Sequence, residues 1–262
     1  MTIQSNAELI SQTHKNMMRK SNVKGNVYLK LQTTGGGHKM NRIEREKALR
    51  RSIIIDAARQ LFKMKNYYQT TIDDIVKLAQ FGKGTFYKYF SNKDELLLVI
   101  YLDELSSLNK QIRLYVKSME AELAVENNEI RASIESCINN IASILLDFYH
   151  IVGTFIFPLH STMMQLNVDK KLQNANKAKN IENLIKKIVL ESGERHEVIC
   201  SIFELGIKHE LMRKQSPQVM ATIFDQMILG LSYSHNQAGN SIAKDEKLRD
   251  IIDIFNYGVV KL

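Results

Sequence analysis

Tryptophan is absent from this chain, and proline and cysteine occur only twice each. So few prolines, with only twelve glycines, favour long helices over short strands joined by many turns. Cys137 and Cys200 stand far apart, with no Cys-x-x-Cys pair. That speaks against a disulfide framework or a zinc site and favours a reducing cytoplasm. The first thirty residues lack an apolar core, so no secretory signal is expected. No strand-like alternation persists anywhere, and no internal repeat is evident. One stretch, 148–168, lacks charge over 21 residues, about the length of a membrane span. His150, Pro158, His160, Gln165 and Asn167 make it costly in lipid. A buried segment of a helical core is the expectation, with no membrane partner.

What is present starts with size and charge. A chain of 262 residues, 44% hydrophobic, can bury one large core or two modest ones. The net charge of +8 is unevenly placed. Residues 1–40 hold six Lys/Arg against one Glu, and residues 41–100 hold twelve against seven Asp/Glu. The remainder holds eighteen against twenty. A polyanionic partner for the N-terminal part follows naturally. Residues 1–40 are polar and basic and end in TTGGGHKM, the composition of a flexible arm. Met40 offers an internal start, with residues 1–39 as an upstream extension; intact-mass analysis of protein expressed from the native gene decides between the two.

From Asn41 the pattern turns helical, with Asn41 and Glu44 spaced as a capping pair. Ile54, Ala57, Ala58, Leu61 and Phe62 recur at three-four spacing as one buried face. Asn66 to Thr70 interrupts the run. Thr71 then starts a short helix with Asp74 three residues on, and Ile72, Ile75, Val76 and Ala79 form its inner face. A tight corner, Gln80-Phe81-Gly82, leads to a second helix over about Gly82 to Tyr89. Residues 71–90, TIDDIVKLAQFGKGTFYKYF, therefore read as a helix-turn-helix. In the second helix Phe86 and Phe90 point together as anchors, and Gly84, Thr85 and Lys88 lie opposite. Lys83 and Tyr87 reach out from the flank. Lys83 and Lys88 can donate to phosphate or guanine, Tyr87 and Thr85 can touch phosphate or a thymine methyl, and Gly84 permits close approach. Asn92 caps a fourth helix running to about Ala124, with Asp94 and Glu95 in its first turn.

These residues resemble the TetR family of transcriptional regulators. The likeness covers Ser52 to about Ile100. It rests on Ile55-x-Ala57-Ala58-x-x-Leu61-Phe62, on Tyr68-x-x-Thr71-x-x-x-Ile75, and on Lys83-Gly84-Thr85-Phe86-Tyr87-x-Tyr89-Phe90-x-x-Lys93-x-x-Leu96. The family's corner usually reads Ala-Gly-Val-Ser, where this chain has Ala79-Gln80-Phe81-Gly82. Gln80 puts a bulkier residue where left-handed geometry is often needed, and Gly82 replaces a capping Ser. The resemblance implies an all-α protein that dimerises through its C-terminal helices. The homodimer would bind a palindromic operator in double-stranded DNA, usually to repress, and a small-molecule effector in the C-terminal domain would usually release it. Carried onto this chain, the DNA contacts are Thr71, Lys83, Gly84, Thr85, Tyr87, Lys88, Tyr89 and Lys93. A TetR-fold chromosome organiser or protein-docking factor without an effector is the alternative.

The organisation expected is a basic arm over 1–40, a DNA-binding domain over 41–92 and a helical effector-binding and dimerisation domain over 93–262. Beyond the fourth helix, amphipathic helices are expected at roughly 127–149, 153–165, 169–191, 195–213, 217–234 and 243–260. Ser192-Gly193 is among the breaks, and Pro217 after Ser216 marks a helix start. Phe203, Ile207, Leu211, Ile223, Met227, Gly230 and Leu231 form seams suited to a two-fold four-helix interface or to intrachain core. Leu145, Phe148, Tyr149, Phe155, Phe157, Met163 and Met164, with His150 and His160, suit a lipophilic pocket or plain core packing. His150 and His160 lack a metal-ligand partner set, so no metal or cofactor is expected. No Ser-His-Asp order, phosphate loop or metal motif points to an enzyme.

Overall fold

The computed structural model describes residues 41–125, 130–153, 175–238 and 244–259. Among them the secondary structure is helical with no β-strand. The helices are α1 (Arg42–Gln69), α2 (Ile72–Ala79), α3 (Lys83–Tyr87), α4 (Lys93–Val125), α5 (Ile130–Val152), α6 (Ala175–Lys208), α7 (Pro217–Ala238) and α8 (Lys244–Val259). Two compact units divide between Leu96 and Leu97.

In the N-terminal unit, α1 opens on a complete capping box. The Ile43 N–H donates to Asn41 Oδ1 at 2.6 Å, and the Asn41 N–H donates to Glu44 Oε2 at 3.1 Å. Its buried stripe includes Ile54, Ala57, Ala58, Leu61 and Phe62. The interruption expected at Asn66 is a kink. Lys65 leaves helical geometry, and Asn66 adopts φ 62° and ψ 172°, a strained region that residues other than Gly seldom enter. The Asn66 side chain accepts from the Gln69 N–H at 3.1 Å, which recovers one donor freed by the kink. Helix α4 begins with Asn92 Oδ1 accepting from the Glu95 N–H at 2.7 Å. Glu95, itself buried, turns back to accept from the Ser91 N–H at 2.6 Å.

The C-terminal unit is a helical core. Its apolar centre includes Leu105 and Ile112 of α4, Ile138 and Leu145 of α5, Ile199 of α6, Ile228 of α7 and Ile252 of α8. Phe203, Phe224 and Phe255 form an aromatic triangle, with centroids 5.1 to 5.8 Å apart. Pro217 is the first residue of α7, where its missing N–H costs nothing. Cys137 and Cys200 are both buried as free thiols. Burial, with Glu120 nearby, pushes the Cys137 thiol up to about 12.

The helix break expected at Ser192-Gly193 does not occur, because α6 runs through both residues. A mid-helix Gly costs only about 1 kcal/mol relative to Ala. The flanking turn is fastened from α4: Asn109 Nδ2 donates to the Glu191 carbonyl at 2.8 Å and to Glu191 Oε2 at 2.6 Å, and Arg113 pairs with Glu194. Helix α6 ends in a sharp reversal with Glu210 at φ 58°. There Met212 packs so closely on Gly206 that a Cβ at 206 would meet its Sδ at 2.6 Å. The helix expected at 153–165 lies, beyond residue 153, outside the described residues.

Candidate DNA interface

The reading head is built from short-range caps. At the start of α2 the Asp74 N–H donates to Thr71 Oγ1 at 3.1 Å. The Thr71 N–H and hydroxyl donate to Asp74 Oδ2 at 2.9 and 2.6 Å. Lys65 closes on the same carboxylate at 2.6 Å. Burial opposes ionisation of Asp74, but the Lys65 ammonium and the Thr71 donors outweigh it and hold the carboxyl at about 2. Thr71 is exposed, yet both its N–H and its hydroxyl are committed to this cap.

At the corner Gln80 adopts φ 57° and ψ 45°, the left-handed conformation. Its turn is closed by the Phe81 N–H donating to the Val76 carbonyl at 2.9 Å. A left-handed L-residue costs roughly 1–2 kcal/mol relative to right-handed geometry. The structure holds this strain at the position the motif singled out. Gly82 is the N-cap of α3 and supplies no side-chain cap.

Helix α3 is shorter than expected. Only Lys83–Tyr87 is helical, with Gly82 as its cap and Lys88 and Tyr89 in the following turn. Phe86 and Phe90 are both buried, their ring centroids 5.7 Å apart, and the Arg51 guanidinium lies 5.3 Å from the Phe90 centroid. The opposite face presents Lys83, Gly84, Tyr87 and Lys88 to solvent, whereas Thr85 and Tyr89 are half-buried. A Cβ at Gly84 would meet nothing within 4 Å. The protein's own packing therefore does not require glycine there.

Two lysines are partnered in ways their spacing did not announce. Lys83 pairs with Asp73 of α2 at 2.9 Å, both well exposed. Such a surface pair contributes about 0–1 kcal/mol, so a phosphate can displace it. Lys93 donates to the Tyr67 and Thr70 carbonyls, each at 2.9 Å, and its ammonium sits 4.0 Å from the Tyr67 ring centroid. It thereby holds the kinked end of α1. The Tyr67 hydroxyl donates to Asp94, and burial and then this carboxylate push the phenol well above its ordinary range. These roles were missed because they join residues 23 to 27 apart.

The remaining expected site residues lie in the C-terminal unit or outside the described residues. Phe148 and Tyr149 are buried on α5; Phe155, Phe157, His160, Met163 and Met164 lie outside the described residues. Of the expected seam, Phe203 and Leu231 are buried in the chain's own interior. Helical spacing could not separate them from an interface, since both are apolar stripes. Ile207, Leu211 and Met227 are half-buried, and Ile223 and Gly230 are exposed. Among the described residues no cluster of His, Cys, Asp and Glu could hold a metal, and no helix is long and apolar enough to cross a membrane.

Comparison with known proteins agrees with this geometry. Residues 54–100 match the family of bacterial regulatory proteins described as the tetR family. An HTH-type transcriptional regulator of Bacillus subtilis, YhgD, is 36% identical over 83 residues, covering 32% of this chain and 42% of that protein. The chain spans less than half the length of each curated relative it matches. In fold it is similar to a TetR-family regulator from Mesorhizobium loti, with TM-score 0.53 at 18% identity, covering 85% of this chain and all of that one. A TetR/AcrR-family regulator from Thermobifida fusca gives TM-score 0.52 at 18% identity, covering 80% and 97%. A kinked, capped scaffold presents Lys83, Gly84, Tyr87 and Lys88 on a short helix, and the segment that carries it, residues 54–100, belongs to the tetR family of bacterial regulatory proteins.

Proposed function

We propose that this regulator is a repressor that binds a palindromic operator as a homodimer in the cytoplasm and is released by a small lipophilic ligand. The observation that carries the DNA part is the division of α3: Phe86 and Phe90 are buried while Lys83, Gly84, Tyr87 and Lys88 face solvent. This is what insertion into a major groove requires. Lys83 and Lys88 contact phosphate or guanine, Tyr87 and Thr85 add contacts at the rim, and Tyr89 supports the turn behind them. Thr71 and Lys93 serve the interface chiefly by holding the scaffold, given their committed hydrogen bonds.

Pairing of two copies is supported by α7, where Val219, Ile223 and Gly230 fall on one exposed face at helical spacing. Ligand binding in the C-terminal unit would alter the spacing of the two reading heads, so effector and operator weaken each other's binding reciprocally. Selection from a random duplex pool tests the reading. A two-fold symmetric sequence with half-sites about one DNA turn apart is expected. Lys88→Ala should weaken binding to it and reduce the salt slope by about 1. Recovery of no symmetric sequence, or an unchanged affinity of Lys88→Ala at matched salt, overturns it. A genome-wide map with many dispersed sites would favour a chromosome organiser instead.

A further inference from the structure

Four helices of the C-terminal unit each send one polar side chain to a common point in its core. Arg195 of α6 pairs with Asp225 of α7, Nη2 to Oδ2 at 3.2 Å, with the two side chains only 10% and 14% exposed. The Tyr149 hydroxyl of α5 donates to the other oxygen, Asp225 Oδ1, at 2.8 Å. Tyr101 of α4 is buried against Phe148 at 5.9 Å between ring centroids. It lies within electrostatic reach of both Arg195 and Asp225. Asp225 thus has both oxygens engaged, whereas Arg195 does not have all its donors engaged. Tyr149 stands beside its guanidinium as well, yet among the described residues its buried Nε and Nη1 find no hydrogen-bond partner within bonding geometry.

A buried guanidinium with two unused donors is costly to maintain, because those donors have given up water for nothing. A buried ion pair gains little over a hydrophobic pair of similar volume, because the cost of taking both charges out of water offsets much of their attraction. Stability alone therefore does not explain it.

We propose that Arg195, with Tyr101 and Tyr149 around it, is the polar anchor of an effector site for a neutral, largely apolar molecule carrying an acceptor oxygen, such as a ketone or ester. The charge count selects this class. Asp225 already balances Arg195, so a carboxylate ligand would bring an uncompensated negative charge next to Asp225 in a low-dielectric core. An amine would find Asp225 already occupied by Arg195 and Tyr149. A carbonyl oxygen accepts from Arg195 and adds no net charge. Phe148, buried against the rings of Tyr101 and Tyr149, suits an aliphatic or alicyclic body.

The inference rests on the regulator reading, and one experiment keeps the two apart. The full chain is titrated with three ten-carbon probes: 2-decanone, decanoate and decane. Binding is followed by tyrosine fluorescence, which no tryptophan obscures. Each sample is also assayed for binding to the selected duplex. The expected result is that 2-decanone binds at least tenfold more tightly than decanoate or decane and weakens duplex binding. The paired variant Arg195→Gln with Asp225→Asn removes both charges at similar volume. It should melt cooperatively, keep duplex affinity and lose at least tenfold in ketone affinity. Three probes binding alike, decanoate binding best, or ketone affinity unchanged in the paired variant overturns the proposal while leaving the DNA reading intact. If the paired variant does not melt cooperatively, the three-probe ranking on the natural chain decides alone. Failure of the natural chain to bind any selected duplex overturns the regulator reading instead.

Discussion

Asp74 in the reading head is held by Thr71, three residues away, and by Lys65, nine away. Asp225 in the C-terminal unit is held by Tyr149 across 76 residues, and Asn109 reaches Glu191 across 82. In the reading head most polar groups act locally and stand near solvent, positioned by caps, and the Lys93 and Tyr67–Asp94 contacts at the kink reach no further than 27 residues. In the C-terminal unit they act at long range and are buried. A cap can be replaced by water at modest cost. A buried pair cannot, so the two units should respond differently to equivalent truncations.

The largest effect is expected where the reading head meets its own core. Phe86→Ala removes a fully buried ring and should cost about 3–5 kcal/mol. It should abolish duplex binding together with the cooperative melt of the N-terminal unit; duplex binding retained at full affinity would show that Phe86 does not set the angle of α3. Next comes Arg195→Ala, which strands the Asp225 carboxylate and should cost about 3 kcal/mol in thermal or denaturant unfolding. The paired Arg195→Gln and Asp225→Asn change should recover most of that loss, since no buried charge is then left alone.

A local cap should matter less. Thr71→Ala is expected to cost about 1 kcal/mol, and a loss as large as that of Arg195→Ala would erase the contrast between the units. Acid titration probes the same cap. The Asp74 carboxyl is held at about 2 in the folded chain, below an ordinary value near 4. A depressed carboxyl contributes stability that is fully present above its unfolded value and is lost as pH falls from about 4 through about 2. Asp74→Asn should flatten that limb in a series of melts at stepped pH. The smallest effect is expected at the corner, where Gln80→Gly relieves the left-handed conformation. It should raise stability by about 0.5–1 kcal/mol, and a decrease would mean that the Gln80 side chain holds the turn.

How much could be read from the chain alone follows the same division. The caps at Asn41, Thr71 and Asn92, the left-handed strain at Gln80 and the anchors Phe86 and Phe90 all rest on residues within a few positions of one another. Spacing exposes such relations directly. The length of α3 was overestimated, since helical periodicity does not register where a turn takes over at Lys88 and Tyr89. Lys93 was assigned to the DNA alone because the carbonyls it caps lie more than twenty residues upstream, at a kink. Ser192-Gly193 looked like a break because propensity is weak beside the Asn109–Glu191 contact. Whether Phe203 and Leu231 belonged to an interface or to intrachain core was open, because an apolar stripe is the same whether it meets its own chain or another copy.

By itself, then, the sequence determined the all-helical architecture, the capped helix-turn-helix and which aromatic residues anchor it, because caps and periodicity are encoded within one or two helical turns. Only the tertiary structure decided that α6 is continuous, that Lys93 braces α1 and that Tyr101, Tyr149, Arg195 and Asp225 meet in one buried cluster. Those outcomes depend on contacts closed across tens of residues, where burial changes the energy of a charge far more than any local pattern records.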